Sequence, residues 1–205
     1  EDLLNLDGYN SIWRMTGDPQ VVGQLDKLSD EMGIAFGKSW AKDPDSRIFF
    51  FGLNPPGIYT LRADGSVVNV TQNTIEETEF ADIDFTRHNV FLAWNPVDRG
   101  IHVTLQPRNA VTDPAERHWF WEEKSTDLTR RAPIWTDTFG HSDVSPMVMR
   151  ALEGDTQADR SFVVAGYDGK LRVWDKDAVD DDGCEIEAYF EIVVARQTYK
   201  VEVIL

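Results

Sequence analysis

A single cysteine, Cys184, leaves no partner for an intrachain disulfide, so this chain must hold its fold by burial and hydrogen bonding rather than by covalent staples. Basic residues are scarce as well: 20 Lys and Arg stand against 36 Asp and Glu, a formal charge of −16. Such a balance repels phosphate backbones and anionic lipid unless a local basic patch intervenes. The densest basic spot is only the pair Arg130-Arg131, so direct nucleic-acid binding is not expected. No apolar run approaches the roughly 20 residues that span a bilayer as a helix; the longest, Ile192–Ala195, is strand-sized, and no membrane insertion is expected. Signatures of chemistry are missing too, with no Gly-x-Ser-x-Gly nucleophile elbow, no Gly-rich phosphate loop and no His-x-x-x-His metal pair. Neither an enzymatic activity nor a cofactor is therefore expected. The chain opens on Glu1-Asp2-Leu3 rather than on Met, and is expected to be a piece of something longer.

What is present is a repeated β pattern: an apolar, aromatic-rich run, a turn rich in Gly, Pro, Asn or Asp, and a second run that alternates. It occurs at Arg47–Gly52 with Gly57–Leu61, at Asn89–Trp94 with Gly100–Leu105, and at Ser161–Gly166 with Lys170–Trp174. Each reads as a β-hairpin. The first run of each, apolar on both strand faces, suits a strand buried on both sides, and the second suits a half-exposed neighbour, giving a gradient from centre to rim. Asn54-Pro55-Pro56-Gly57 and Asn95–Gly100 supply fixed and permissive backbone angles for the turns, and Asp168-Gly169 favours a tight two-residue turn. A further Asp-Gly pair, Asp64-Gly65, leads into an expected strand at Ser66–Val70.

The first two hairpins lie about 42 residues apart, a spacing typical of propeller blades. The third comes late, and the extra length, which includes Arg117–Glu122 and Ala132–Thr136, reads as an outer strand followed by an insertion. Helix is scarce; Asp18-Pro19 could start one running through Val22, Leu25 and Leu28, or the stretch is a loop. The expectation is an all-β fold of antiparallel, propeller-type blades: a partial ring of about three blades plus edge strands. Residues 1–32 form an edge strand and connecting segment, 33–183 the blades, and 184–205 the closing or linking strands.

The runs Gly33–Ala41, Arg47–Gly52, Gly57–Leu61, Val90–Pro96 and Gly166–Asp175 together resemble blades of the propeller domains found in tail-tube, nozzle and hub proteins of tailed bacteriophages. The resemblance implies a structural component of a phage-like virion, located in its tail or neck assembly. There it would act as a rigid β scaffold whose partners are other protein subunits, in a homo-oligomer or a larger assembly. A carbohydrate-binding or glycoside-processing propeller is the alternative, to be told apart by an exposed Trp beside two convergent carboxylates.

Two groups of residues invite a site. Trp94, Trp119, Trp121 and Trp135 carry rings that can anchor a protein interface or stack on a sugar, or else pack between sheets. In a strand Trp119 and Trp121 share one face, with Phe120 on the other. The acidic stretch holding Asp175, Asp177, Asp180 and Asp182 offers oxygens to Ca²⁺ but lacks the EF-hand spacing and its closing Glu, so it reads as a solvated turn. His88, His102, His118 and His141 are spread without ligand-like spacing and are expected to have structural or solvent-facing roles.

Overall fold

The structure is a computed structural model. It describes residues 3–5, 11–18, 22–62, 65–72, 80, 83–108, 117–123, 134–136, 146–152, 154, 156, 160–166, 168–175, 177–178, 180–181, 183–185, 189–194 and 197–202.

The fold is all-β, and every sheet is an antiparallel meander whose strands pair in chain order. The first sheet comprises β1 (Leu3–Asn5), β2 (Ile12–Thr16) and β3 (Gln24–Ser29). The second runs through β4 (Trp40–Lys42), β5 (Ile48–Leu53), β6 (Pro56–Leu61) and β7 (Val67–Asn69). The third holds β8 (His88–Asn95), β9 (Gly100–Pro107), β10 (Arg117–Glu122) and β11 (Ile134–Thr136). The fourth is β12 (Pro146–Leu152), β13 (Ser161–Gly166) and β14 (Leu171–Val173). Two hairpins follow: β15 (Asp180–Asp181) with β16 (Cys184–Glu185), and β17 (Tyr189–Val194) with β18 (Gln197–Glu202).

Aromatic and β-branched residues make β5 and β8 strands, and side-chain alternation sends their bulk to two sides. Phe49, Phe51 and Leu53 of β5 meet Leu92 and Trp94 of β8 and Trp121 of β10 in one core. Phe49 is its pivot, with ring centroids 6.0 Å from Trp94 and 5.7 Å from Trp121. Phe50, on the opposite face of β5, joins Tyr59 and Ile12 in a second core against the first sheet. Ala93, on the opposite face of β8, joins Met149, Phe162 and Val164 in a third core against the fourth sheet. Four sheets thus stack face to face in chain order.

The first strands of three successive sheets also gather at one edge. β4, β8 and β12 are each the outermost strand of their sheet, and both β4 and β12 approach β8. The segment 33–39 bridges the second and third sheets: Ala35 N–H and Leu53 N–H close bonds between the segment and β5, while Val90 N–H and Leu92 N–H of β8 donate to the carbonyls of Phe36 and Lys38.

All three expected hairpins are present, as are the strand after Gly65 and the strands at Arg117 and Ile134. Several details differ. The gradient from centre to rim does not hold in the first two hairpins: β6 and β9 are as deeply buried as β5 and β8, because each lies inside its sheet and is covered on both faces. In the third hairpin β13 is more buried than β14, as expected, but on alternate residues only. Its turn is longer than two residues, with Gly166 N–H donating to Lys170 O and Gly169 at φ 79°. Residues 24–29 form a strand, neither helix nor loop, because Arg14 and Met15 pair across to Asp26 and Leu25. The supposed insertion contains β12, the first strand of the fourth sheet.

Candidate functional site

Where β4, β8 and β12 meet, their edges enclose a cleft of about 650 Å³. Ser39, Ala41 and Asp43 are buried and alternate with the exposed Lys38, Trp40 and Lys42, as strand geometry requires of a ribbon with one covered face. Trp40 is 43% exposed. From the other side β12 contributes Arg150, and the residue just before β13 is Arg160; both are exposed and both line the cleft. Ala93 and Trp94 of β8 lie between them. The indole Nε1 of Trp94 is buried without an acceptor among the described residues.

Four cations therefore line the cleft, against one acid, Asp43. That acid is spent internally. Its Oδ1 accepts from the Arg47 N–H at 2.8 Å and its Oδ2 from Arg47 Nε at 2.5 Å. Arg47 Nη2 lies 2.7 Å from Glu123 Oε1, an ion pair without hydrogen-bond alignment, and Arg99 Nη2 donates to Glu123 Oε2 at 3.3 Å. These bonds hold two buried carboxylates with two guanidiniums, as buried charges require. Among the described residues Lys38, Lys42, Arg150 and Arg160 form no ion pair, so the cleft is locally positive on a chain of charge −16.

A second polar assembly is buried between the third and fourth sheets. Asn95 Oδ1 accepts from the N–H groups of Val97 and Asp98, which orients its Nδ2 as the donor to His102 Nε2 at 3.1 Å. His102 Nδ1–H then donates to His118 Nε2 at 2.9 Å. The bond order assigns both imidazoles as neutral. Burial lowers the pKa of His102 well below the ordinary value of 6.5, with the neighbouring His118 contributing; burial alone pushes His118 down to about 3. Trp174 Nε1 donates to Asp98 Oδ2 at 2.5 Å, tying the end of the fourth sheet to the β8–β9 loop. Rings of Phe162 and Phe120 close over His102, with centroids at 4.8 and 4.5 Å. Buried and neutral, the pair serves packing and has no open side for a substrate.

The residues singled out from sequence fall elsewhere. Trp119 and Trp121 are buried in the core between the second and third sheets, because β10 is an inner strand of its sheet; they offer no surface to a partner. Trp94 shares that core and reaches the cleft only as a largely covered lining residue. Trp135 sits on β11 opposite Phe120, and its side chain lies outside the described residues. Asp175 Oδ1 accepts from Asp177 N–H, and Asp180 Oδ1 from Gly183 N–H, so each caps its own turn; Asp182 lies outside the described residues. Among the described residues no three His, Cys, Asp or Glu converge as a metal would require. His141 is outside them as well, and His88 Nδ1 meets the Asp84 carbonyl at 2.8 Å.

The cleft itself was hidden in the sequence. Its only local signal is the alternation in Lys38-Ser39-Trp40-Ala41-Lys42, and nothing in the chain order says that Arg150 and Arg160 stand opposite. The chain matches no family model, and no curated protein matches it.

Proposed function

We propose that the chain is a non-catalytic β scaffold of propeller-type blades that works by packing against other protein subunits, as a structural component of the tail or neck of a phage-like virion. The observation that carries the scaffold reading is the outer face of the fourth sheet. Register puts Val148, Arg150 and Leu152 of β12, Ser161, Val163 and Ala165 of β13, and Leu171 and Val173 of β14 on that one face. Four of them are strongly exposed: Val148 at 58%, Leu152 at 48%, Leu171 at 74% and Val173 at 65%. A sheet face this largely apolar, with Arg150 at its β12 edge, calls for a covering layer. The stack of sheets, each covering the last, supports reading that layer as the next blade, supplied by a neighbouring subunit. The meander order and the gathering of β4, β8 and β12 at one edge support the propeller arrangement. The virion itself rests on the sequence resemblance.

Light scattering coupled to size exclusion tests the scaffold role. The wild-type chain should associate, and Leu171→Lys with Val173→Lys should leave a folded monomer. A wild-type chain that stays monomeric at high concentration overturns it.

The cleft favours a second reading, a glycan-binding module, because Trp40 stands exposed beside polar side chains and open strand edges. Its glycoside-processing variant needs two convergent carboxylates, and the cleft offers Asp43 alone, held by Arg47.

A further inference from the structure

The charge of the cleft narrows that second reading, on which the following inference rests. We infer that the cleft between β4, β8 and β12 binds a short acidic saccharide, one whose sugar units carry carboxylates.

Three features lead there. The first is electrostatic: Lys38, Lys42, Arg150 and Arg160 come from three separate stretches of chain to line one cleft, and the single lining acid is neutralised by Arg47. Cations on an acidic protein are ordinarily compensated by near neighbours. Four that converge without an ion pair among the described residues leave a local positive field for an anion to fill. The second is size. A volume of about 650 Å³ lies in the range of sites that enclose a small ligand, and the surrounding charge of −16 repels a long polyanion whose ends project beyond the cleft. A short ligand keeps its charge inside. The third is the character of the walls. An exposed indole at Trp40 supplies an apolar plane for the C–H face of a sugar ring. The edges of β4 and β12, each outermost in its sheet, add peptide donors and acceptors suited to hydroxyl groups, while the β8 edge is already bonded at Val90 and Leu92 to the segment 33–39. A simple inorganic anion would use the cations and leave the indole idle.

The cations differ in what they can do. Arg150 and Arg160 can grip a carboxylate with two parallel N–H bonds, whereas Lys38 and Lys42 act as point charges. Selectivity for the acidic sugar therefore falls mainly on the arginines, and attraction is shared by all four.

Titration calorimetry of the full chain with trigalacturonate, maltotriose and inorganic tripolyphosphate tests this. Trigalacturonate should bind and weaken as salt is raised, while maltotriose and tripolyphosphate bind at least tenfold more weakly. Arg150→Gln and Lys42→Gln should each weaken trigalacturonate about tenfold, the size of one lost charge-assisted hydrogen bond. Trp40→Ala should bring its affinity down to that of tripolyphosphate. These side chains are exposed, so the variants should keep the wild-type circular dichroism spectrum. Equal binding of maltotriose overturns the acidic selectivity and leaves the glycan reading standing; tripolyphosphate binding as tightly as the sugar overturns the glycan reading. Binding to none of the three overturns both, as does sugar binding unchanged by every variant.

Discussion

His102 and His118 carry the clearest consequence at the scale of single residues. Their neutral rings are locked in a chain of bonds from Asn95 to His118, and burial lowers the pKa of each. A base whose pKa is depressed by folding binds its proton more readily in the unfolded chain. Its contribution to stability is therefore complete above the ordinary pKa of 6.5 and is lost as pH falls toward the depressed value, about 3 for His118. Urea unfolding at pH 7 and at pH 5 should show a loss of about 2 kcal/mol from His118, with a further loss in the same direction from His102. An unchanged midpoint would contradict the neutral pair. Asn95 is fully buried and serves two backbone N–H groups as well as His102. Asn95→Ala should cost about 2–4 kcal/mol in the same unfolding measurement, since it strands the buried His102 nitrogen together with two partly buried backbone N–H groups. None of this was legible in the sequence. His102 and His118 are separated by 16 positions and meet only through the register that sets His102 opposite Phe120 and His118 opposite Thr104.

Among the elements, the hairpins were the most readable, because their signals are local. Asn54-Pro55 and Asn95–Gly100 announce turns by residue type, and β5–β6 and β8–β9 pair around them. The short strands were hidden for the opposite reason. β4 is three residues long, too short for its alternation to stand out, and β12 carries apolar residues on its open face, so it lacks the alternation that separates core from solvent. Buried area was misjudged in the same way: a strand's exposure depends on what covers its sheet, which the strand's own residues do not state. Close packing within the third sheet gives an element-scale test. A Cβ at Gly100 would overlap the ring of Phe120 and the carbonyl oxygen of Trp121, both buried. Gly100→Ala should destabilise by about 1–3 kcal/mol through overpacking, read as a shift in thermal midpoint. Phe49→Ala, which empties the pivot between Trp94 and Trp121, should cost about 3–5 kcal/mol.

For the whole molecule, sequence patterning foresaw the antiparallel all-β class and located most of the strands, and it could not foresee how the sheets stack. Face-to-face packing follows from which residues share a face: Phe49 and Phe50 go to different cores although they adjoin in the chain, and Leu92 and Ala93 do the same. Stacking brings two things together that no local pattern contains, the cation-lined cleft at the gathered edges and the apolar face at the end of the stack. In the scaffold account, that face is the surface on which the next layer sits. Leu171→Lys and Val173→Lys should then change the stability of the isolated chain by no more than about 0.5 kcal/mol each, because they sit in water, while abolishing association. Cryo-electron microscopy of the assembled protein is the most direct test. The account predicts a β-sheet from a neighbouring subunit lying on Val148, Leu152, Leu171 and Val173, with β4, β8 and β12 turned toward a common axis. Solvent on that face, or strands of the same chain covering it, would contradict the account.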